Sequence, residues 1–165
     1  MPTDTTQTDT IPQRTDINEQ HKWNLADIYA TDDAWEADFG KARELIEQAE
    51  SFRGRLAESA QVLWDCLQSR STLQQTLSSL FQYAYLNKDL DNRVSKYQEM
   101  TERVAMLGSH AGAAYSFVEP ELLAVDEEQL RGMAYQFPQT DVYDFYIKEL
   151  LRSKKHIRSG EVEEV

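Results

Sequence analysis

The chain has 165 residues, 41% apolar and 28% charged, with a formal net charge of -12 at pH 7. That length is one ordinary domain, its eight Tyr, six Phe and three Trp set it apart from chains that stay unfolded, and its excess of acid would repel a phosphate backbone, which argues against nucleic acid as a partner. No apolar run approaches the roughly 20 residues of a membrane span, and the one cysteine, Cys66, cannot close an internal disulfide, so a cytoplasmic protein with no membrane partner is expected.

Residues 1–20, MPTDTTQTDTIPQRTDINEQ, form a polar Thr/Asp/Gln-rich tail that lacks the basic head and apolar middle of a secretory signal. Folded sequence is expected from residue 21. Trp23, Leu25, Ile28 and Tyr29 are apolar without a long period and read as an extended or short helical lead-in that pins the terminus to a core. Thr31 then caps a helix whose first turn carries Asp32 and Asp33, where the helix dipole favours acids. Trp35, Phe39, Ala42, Ile46 and Ala49 follow at steps of three and four as one amphipathic stripe. Gly54 supplies the stop, because glycine takes the left-handed conformation without a Cβ clash.

Ser59 is the next start signal. From there to about Asn87, Leu63, Leu67, Leu73, Leu77, Leu80 and Ala84 keep mostly helical spacing, and the pattern fits either one long helix or two joined near residues 69–71. Asp89, Leu90 and Asp91 read as a tight connection, with Asp91 capping the next helix. Val94, Tyr97, Thr101, Val104, Gly108, Ala111, Tyr115 and Val118 then predict one helix of about 25 residues with coiled-coil-like spacing. With the preceding segment it would make a long antiparallel hairpin. Gly108 and Gly112, each costing about 1 kcal/mol relative to Ala inside a helix, imply that a neighbouring helix packs closely against GSHAGAA.

Pro120 ends or restarts the helix. Asp126 to Gln129 resembles a capping box opening a short helix with Leu130, Met133 and Ala134, which Phe137-Pro138 breaks. Thr140 caps a further helix with Val142, Tyr143, Tyr146, Ile147, Leu150 and Leu151 on its buried side and Arg152, Lys154 and Lys155 at its C-terminal end. The final SGEVEEV announces yet another helix, capped at Ser159, which implies continuation past Val165. No strand alternation occurs, so the fold class is all-α, a bundle of about five to six helices.

Chemistry is sparse. His21, His110 and His156 include no pair four residues apart, and none lies near Cys66 in sequence, so helical metal-ligand spacing is absent. His110 reads as an interior helix residue and His21 as solvated. DLDNR, from Asp89, begins like a calcium loop but fails at its sixth position, Val94, and its twelfth, Met100. The tyrosines 83, 85, 97, 115, 143 and 146 stand mostly in phase with apolar neighbours and read as core, not as an aromatic groove for peptides.

Five strings carry a likeness: KWNLADIYATDDAWEADF, SFRGRL, FQYAYLNKDLD, YSFVEPELLAV and YIKELLRSKKHIRSGEVEEV. In their order and approximate spacing they resemble the N-terminal region of the oligoendopeptidase F family of zinc metallo-oligopeptidases, over residues 22–165. The resemblance implies a helical lobe that forms part of the wall of a deep substrate channel admitting short peptides. It also implies zinc in the full-length enzyme, held by an H-E-x-x-H helix and a downstream glutamate in a catalytic domain of the same polypeptide. None of those residues exists in this sequence, so no catalytic, cofactor-binding or metal-ligating residue is assigned and the segment alone is expected to be inactive. The alternative is a stand-alone helical interaction module, or an oligomer that uses the 94–118 stripe as its seam.

Overall fold

The computed structural model describes residues 16–139 and 141–160. Six α-helices follow one another: α1 Asp32–Ala49, α2 Ala60–Leu90, α3 Ser95–Ala114, α4 Val118–Ala124, α5 Glu127–Ala134 and α6 Asp144–Gly160. Short 3-10 turns at Glu19–His21, Leu25–Asp27 and Glu50–Phe52 complete the described secondary structure, which contains no strand. The fold is all-α, as the sequence predicts.

Local signals set most boundaries. Thr31 Oγ1 accepts the Ala34 amide at 3.2 Å and Ser59 Oγ accepts that of Val62 at 3.2 Å, each meeting an amide that has no partner inside its own helix. Gly54, with φ of 76°, turns the chain beyond the 3-10 extension of α1, and its amide donates to Glu121 Oε1 at 2.6 Å. Asp126 Oδ1 accepts from Glu128 and Gln129 at 2.8 and 3.3 Å, but the Gln129 side chain donates instead to the Ala57 carbonyl at 3.3 Å. Half of the capping box therefore forms, and the other half ties α5 to the loop before α2.

Residues 60–90 are one helix, which resolves the choice that the sequence leaves open. Its buried stripe runs Leu63, Cys66, Leu67, then Leu73, Leu77, Leu80, Tyr83 and Ala84. The interval Gln68 to Ser71 is polar and half-buried, and tyrosine hydroxyls from other helices meet it there. Tyr115 Oη lies 2.8 Å from Ser69 Oγ, Tyr143 Oη lies 3.1 Å from Gln68 Nε2 and 2.8 Å from Ser71 Oγ, and Tyr146 Oη accepts from Arg70 at 3.3 Å. A polar side chain that is half out of water is costly only when it has no partner.

Along α3, contacts with α2 run from the Tyr83–Tyr97 ring pair, 6.4 Å between centroids, to Ser69–Tyr115 at the other end, so residue numbers fall along α2 as they rise along α3. Helix α1 lies over both. The wholly buried Trp35 donates its indole N–H to the Leu80 carbonyl at 2.9 Å, and the Arg103 guanidinium stands 5.2 Å above the Trp35 ring and 4.5 Å above Phe39 while forking onto Glu36 at 2.6 and 2.7 Å. Asp32 accepts from Tyr83 Oη at 2.7 Å and from Lys96.

Several expectations need correction. The 94–118 stripe is not one helix: α3 stops at Ala114 and α4 begins at Val118, because a proline ring clashes with the carbonyl four residues earlier and is tolerated in a first turn, where Pro120 sits. Asp91 does not cap α3; it ends α2, and its carboxylate accepts the Arg93 amide at 3.0 Å in a local turn. Trp23 is 73% exposed and Val142 50% exposed, since neither lies on a helix face turned toward the core. Arg152, Lys154 and Lys155 fall within α6, which continues to Gly160; Lys154 caps a different helix, donating to the Val125 carbonyl after α4 at 2.6 Å. Ser159 lies inside α6. Thr140 and residues 161–165, where the sequence predicts further capping, lie outside the described residues.

The acids of α1 set a pH dependence. At Asp32 burial pushes the carboxyl up, and the hydrogen bonds from Lys96 and Tyr83 together outweigh it and hold it below the usual range. The Arg103 hydrogen bond lowers Glu36, and the Lys41 hydrogen bond lowers Asp38. Groups depressed in the folded state contribute stability above their unfolded values, near pH 4, and lose it as pH falls through the folded values. Urea unfolding should therefore show a midpoint that falls below about pH 4, and Asp32→Asn should cost roughly 1 kcal/mol at pH 7 and flatten that fall. An unchanged acid limb in the variant contradicts the assignment.

Candidate functional site

A groove of about 750 Å³ runs along the α2–α3 pair. Its floor is apolar and nearly closed, with Leu73 and Leu77 from α2 and Val104 and Ala111 from α3 all buried. On the α2 rim stand Arg70, Gln74 and Ser78, at successive fourth positions, so the 3.6-residue period brings all three to one edge. The α3 rim is made of Ala105, Gly108 and Gly112. Glu119 and Pro120 of α4 also line it, and Phe81, 42% exposed, lines it as well.

Among the described residues no neighbouring helix packs against the two glycines, where the sequence leads one to expect it. A Cβ placed on Gly108 or Gly112 would meet nothing within 4 Å among the described residues. What the two glycines leave is the open wall of the groove.

Arg70 is the one base among the groove's lining residues. Its side chain retains 40% exposure; it donates to Tyr146 Oη at 3.3 Å and faces Glu119 Oε1 at 3.8 Å, a separation longer than a hydrogen bond, across a partner that is 56% exposed. A guanidinium carries five N–H donors, so most of the capacity of Arg70 is unspent among the described residues.

The candidate ligand residues are not brought together. His21 is exposed, 3.1 Å from Gln20 Nε2, and His110 is exposed on α3 and not interior as expected. His156 falls in α6. Cys66 is wholly buried in α2, and burial pushes its thiol up to about 11. Among the described residues no three His, Cys, Asp or Glu side chains form a group that could hold a metal ion. Asp91, in the stretch that resembles a calcium loop, is committed to Arg93, whose hydrogen bonds hold its carboxyl down at about 2. No described helix is long and apolar enough to cross a membrane.

Sequence reasoning missed the rim. The signal was available as Arg70, Gln74 and Ser78 four apart inside an apolar helix, but the first of these was absorbed into a suspected break near residues 69–71. The tyrosines divide as expected in the main: Tyr83 and Tyr115 are buried, and Tyr97, Tyr143 and Tyr146 are partly so, but Tyr85 is 40% exposed and stacks on Phe81 with centroids 5.4 Å apart.

Comparison with known proteins gives this geometry a context. Residues 121–165 match the family model described as Oligopeptidase F. Oligopeptidase PepF of Bacillus subtilis (strain 168) is 28% identical over 153 residues, 93% of this chain and 23% of the relative. Group B oligopeptidase PepB of Streptococcus agalactiae serotype III (strain NEM316) is 30% identical over 152 residues, 92% of this chain and 25% of the relative. The chain thus spans about a quarter of the length of the curated relatives it matches. The crystal structure of oligoendopeptidase-F from Enterococcus faecium superposes with a TM-score of 0.67 at 24% identity, covering 76% of this chain and 25% of that one, a likeness of fold.

Burial of Cys66 has a chemical consequence that can be measured. The thiolate is the reacting form, and a thiol raised to about 11 holds little of it at pH 8. Alkylation of Cys66 by iodoacetamide at that pH should be at least about a hundredfold slower in the native chain than in urea. Comparable rates mean that the thiol is accessible and unperturbed.

Proposed function

We infer, from a chain that corresponds to the N-terminal region of an oligoendopeptidase F, that it serves as a non-catalytic lobe of a zinc metallo-oligopeptidase acting on short peptides. The observation that carries this reading is the match of more than nine-tenths of the chain to oligopeptidases about four times as long. In that reading residues 21–165 are the lobe and residues 1–20 a tail. The catalytic domain, with its zinc, belongs to the remainder of the same polypeptide. The lobe forms part of the wall of the substrate channel, its natural ligands are short peptides in the cytoplasm, and none of its residues activates water or binds the metal.

What the lobe contributes is a rigid boundary. A channel walled by long, mutually buttressed helices admits an unfolded peptide and rejects a folded protein on width alone. Helix α2 suits such a wall, because its buried stripe is anchored to α1 and α3, and its polar middle to α3 and α6. The alternative of an oligomer built on the 94–118 stripe has less support, since four of its members, Val104, Ala111, Tyr115 and Val118, are already buried within the chain.

The purified chain, incubated with an internally quenched peptide and zinc, should give no zinc-dependent cleavage. Turnover that appears with zinc and disappears with a chelator contradicts the reading.

A further inference from the structure

We propose that the groove between α2 and α3 is a binding site for a short extended peptide whose C-terminal carboxylate sits on Arg70. This rests on the reading of the chain as a lobe of a peptidase and goes beyond it by assigning a site and a polarity.

Three features of the groove fit that ligand. Its floor of Leu73, Leu77, Val104 and Ala111 is apolar, and suits the side chains of an apolar peptide. One rim bears Gln74 and Ser78, which offer amide and hydroxyl groups to a peptide backbone that would otherwise lose its water unpaired. The opposite rim carries no side chain at Gly108 and Gly112, and none of the described residues lies within 4 Å of where a Cβ would stand, so a backbone can come close.

Charge decides the orientation. Arg70 holds one long hydrogen bond to Tyr146 and a loose ion pair with exposed Glu119, which leaves donors for a carboxylate, the planar anion that a guanidinium fork matches. Glu119 is the one acid among the lining residues, so the groove is locally neutral within a chain of net charge -12. Acids elsewhere act on a bound carboxylate only through solvent screening. From Arg70 to Phe81 the helix rises about 16 Å, the length of about five residues of extended peptide. Phe81, half out of the floor, stands at that far end as an apolar stop.

The test is fluorescence anisotropy with the 165-residue chain and N-terminally dansylated Ala-Leu-Gly-Ala-Leu, as free acid and as C-terminal amide. The acid is expected to bind saturably, and the amide about tenfold more weakly, the loss of one charge-assisted contact. Arg70→Gln should abolish the difference between acid and amide. Gly108→Leu, which raises helix propensity and fills the groove, should weaken both peptides at unchanged helical circular dichroism. No saturable binding up to about 1 mM, equal binding of acid and amide to the wild type, or wild-type binding by the filled variant overturns the proposal. Binding is read without turnover, so absent binding with absent cleavage defeats the site alone, and cleavage by the chain defeats the lobe reading alone.

Discussion

The constraint on which the rest depends is that a single helix of 31 residues keeps one stripe out of water while its middle is polar. Helix α2 loses its apolar register at Gln68 to Ser71, and burying those side chains unpaired would cost about 1–3 kcal/mol each. The hydroxyls of Tyr115, Tyr143 and Tyr146 resolve that conflict, and each fixes something else in doing so. Tyr115 brings the end of α3 to the first half of α2 and also donates to the Leu45 carbonyl of α1 at 3.4 Å. Tyr143 and Tyr146 stand at and just inside the start of α6, so the same requirement positions the last described helix. Trp64 adds an apolar clamp at this corner, its ring 5.2 Å from that of Phe137 and 5.5 Å from that of Tyr143.

With that seam in place the two sides of the α2–α3 pair become different. On one side α1 closes over Leu80, Tyr83 and Arg103, with Trp35 as the wholly buried anchor and the acids Asp32 and Glu36 of α1 facing the bases Lys96 and Arg103 of α3. On the other, Gln74, Ser78 and the glycines of α3 face no covering helix among the described residues, and the groove remains. The asymmetry is written in side-chain size: Leu80 and Arg103 meet Trp35 of α1, whereas Gly108 and Gly112 give a partner nothing to pack against.

Legibility in the sequence followed the range of the interaction. Caps act over three residues, so Thr31, Ser59 and Asp126 could be read directly, and the stripe from Trp35 to Ala49 could be read from periodicity. The continuity of α2 could not, because its polar interval is stabilised by tyrosines some 46 to 76 positions away. The break between α3 and α4 was half-legible: Pro120 was recognised as a restart, but not that the helix must be interrupted before it to place the ring in a first turn. Lys154 looked like a local charge at a helix end and proved to cap a neighbour, a pairing that no local rule contains. The groove was the least legible feature, since an open wall beside Gly108 and Gly112 and a wall packed by another helix leave the same sequence trace.

Amide hydrogen exchange along α2, followed by NMR at pH 7, tests the organising role of this helix most directly. Amides from Leu67 to Leu77 should exchange as slowly as those flanking Leu63 and Leu80, in one cooperative unit near the global unfolding limit. Amides around Ser69 to Leu73 that exchange about a hundredfold faster than both flanks would mean two helices meeting at a hinge, and would contradict the account.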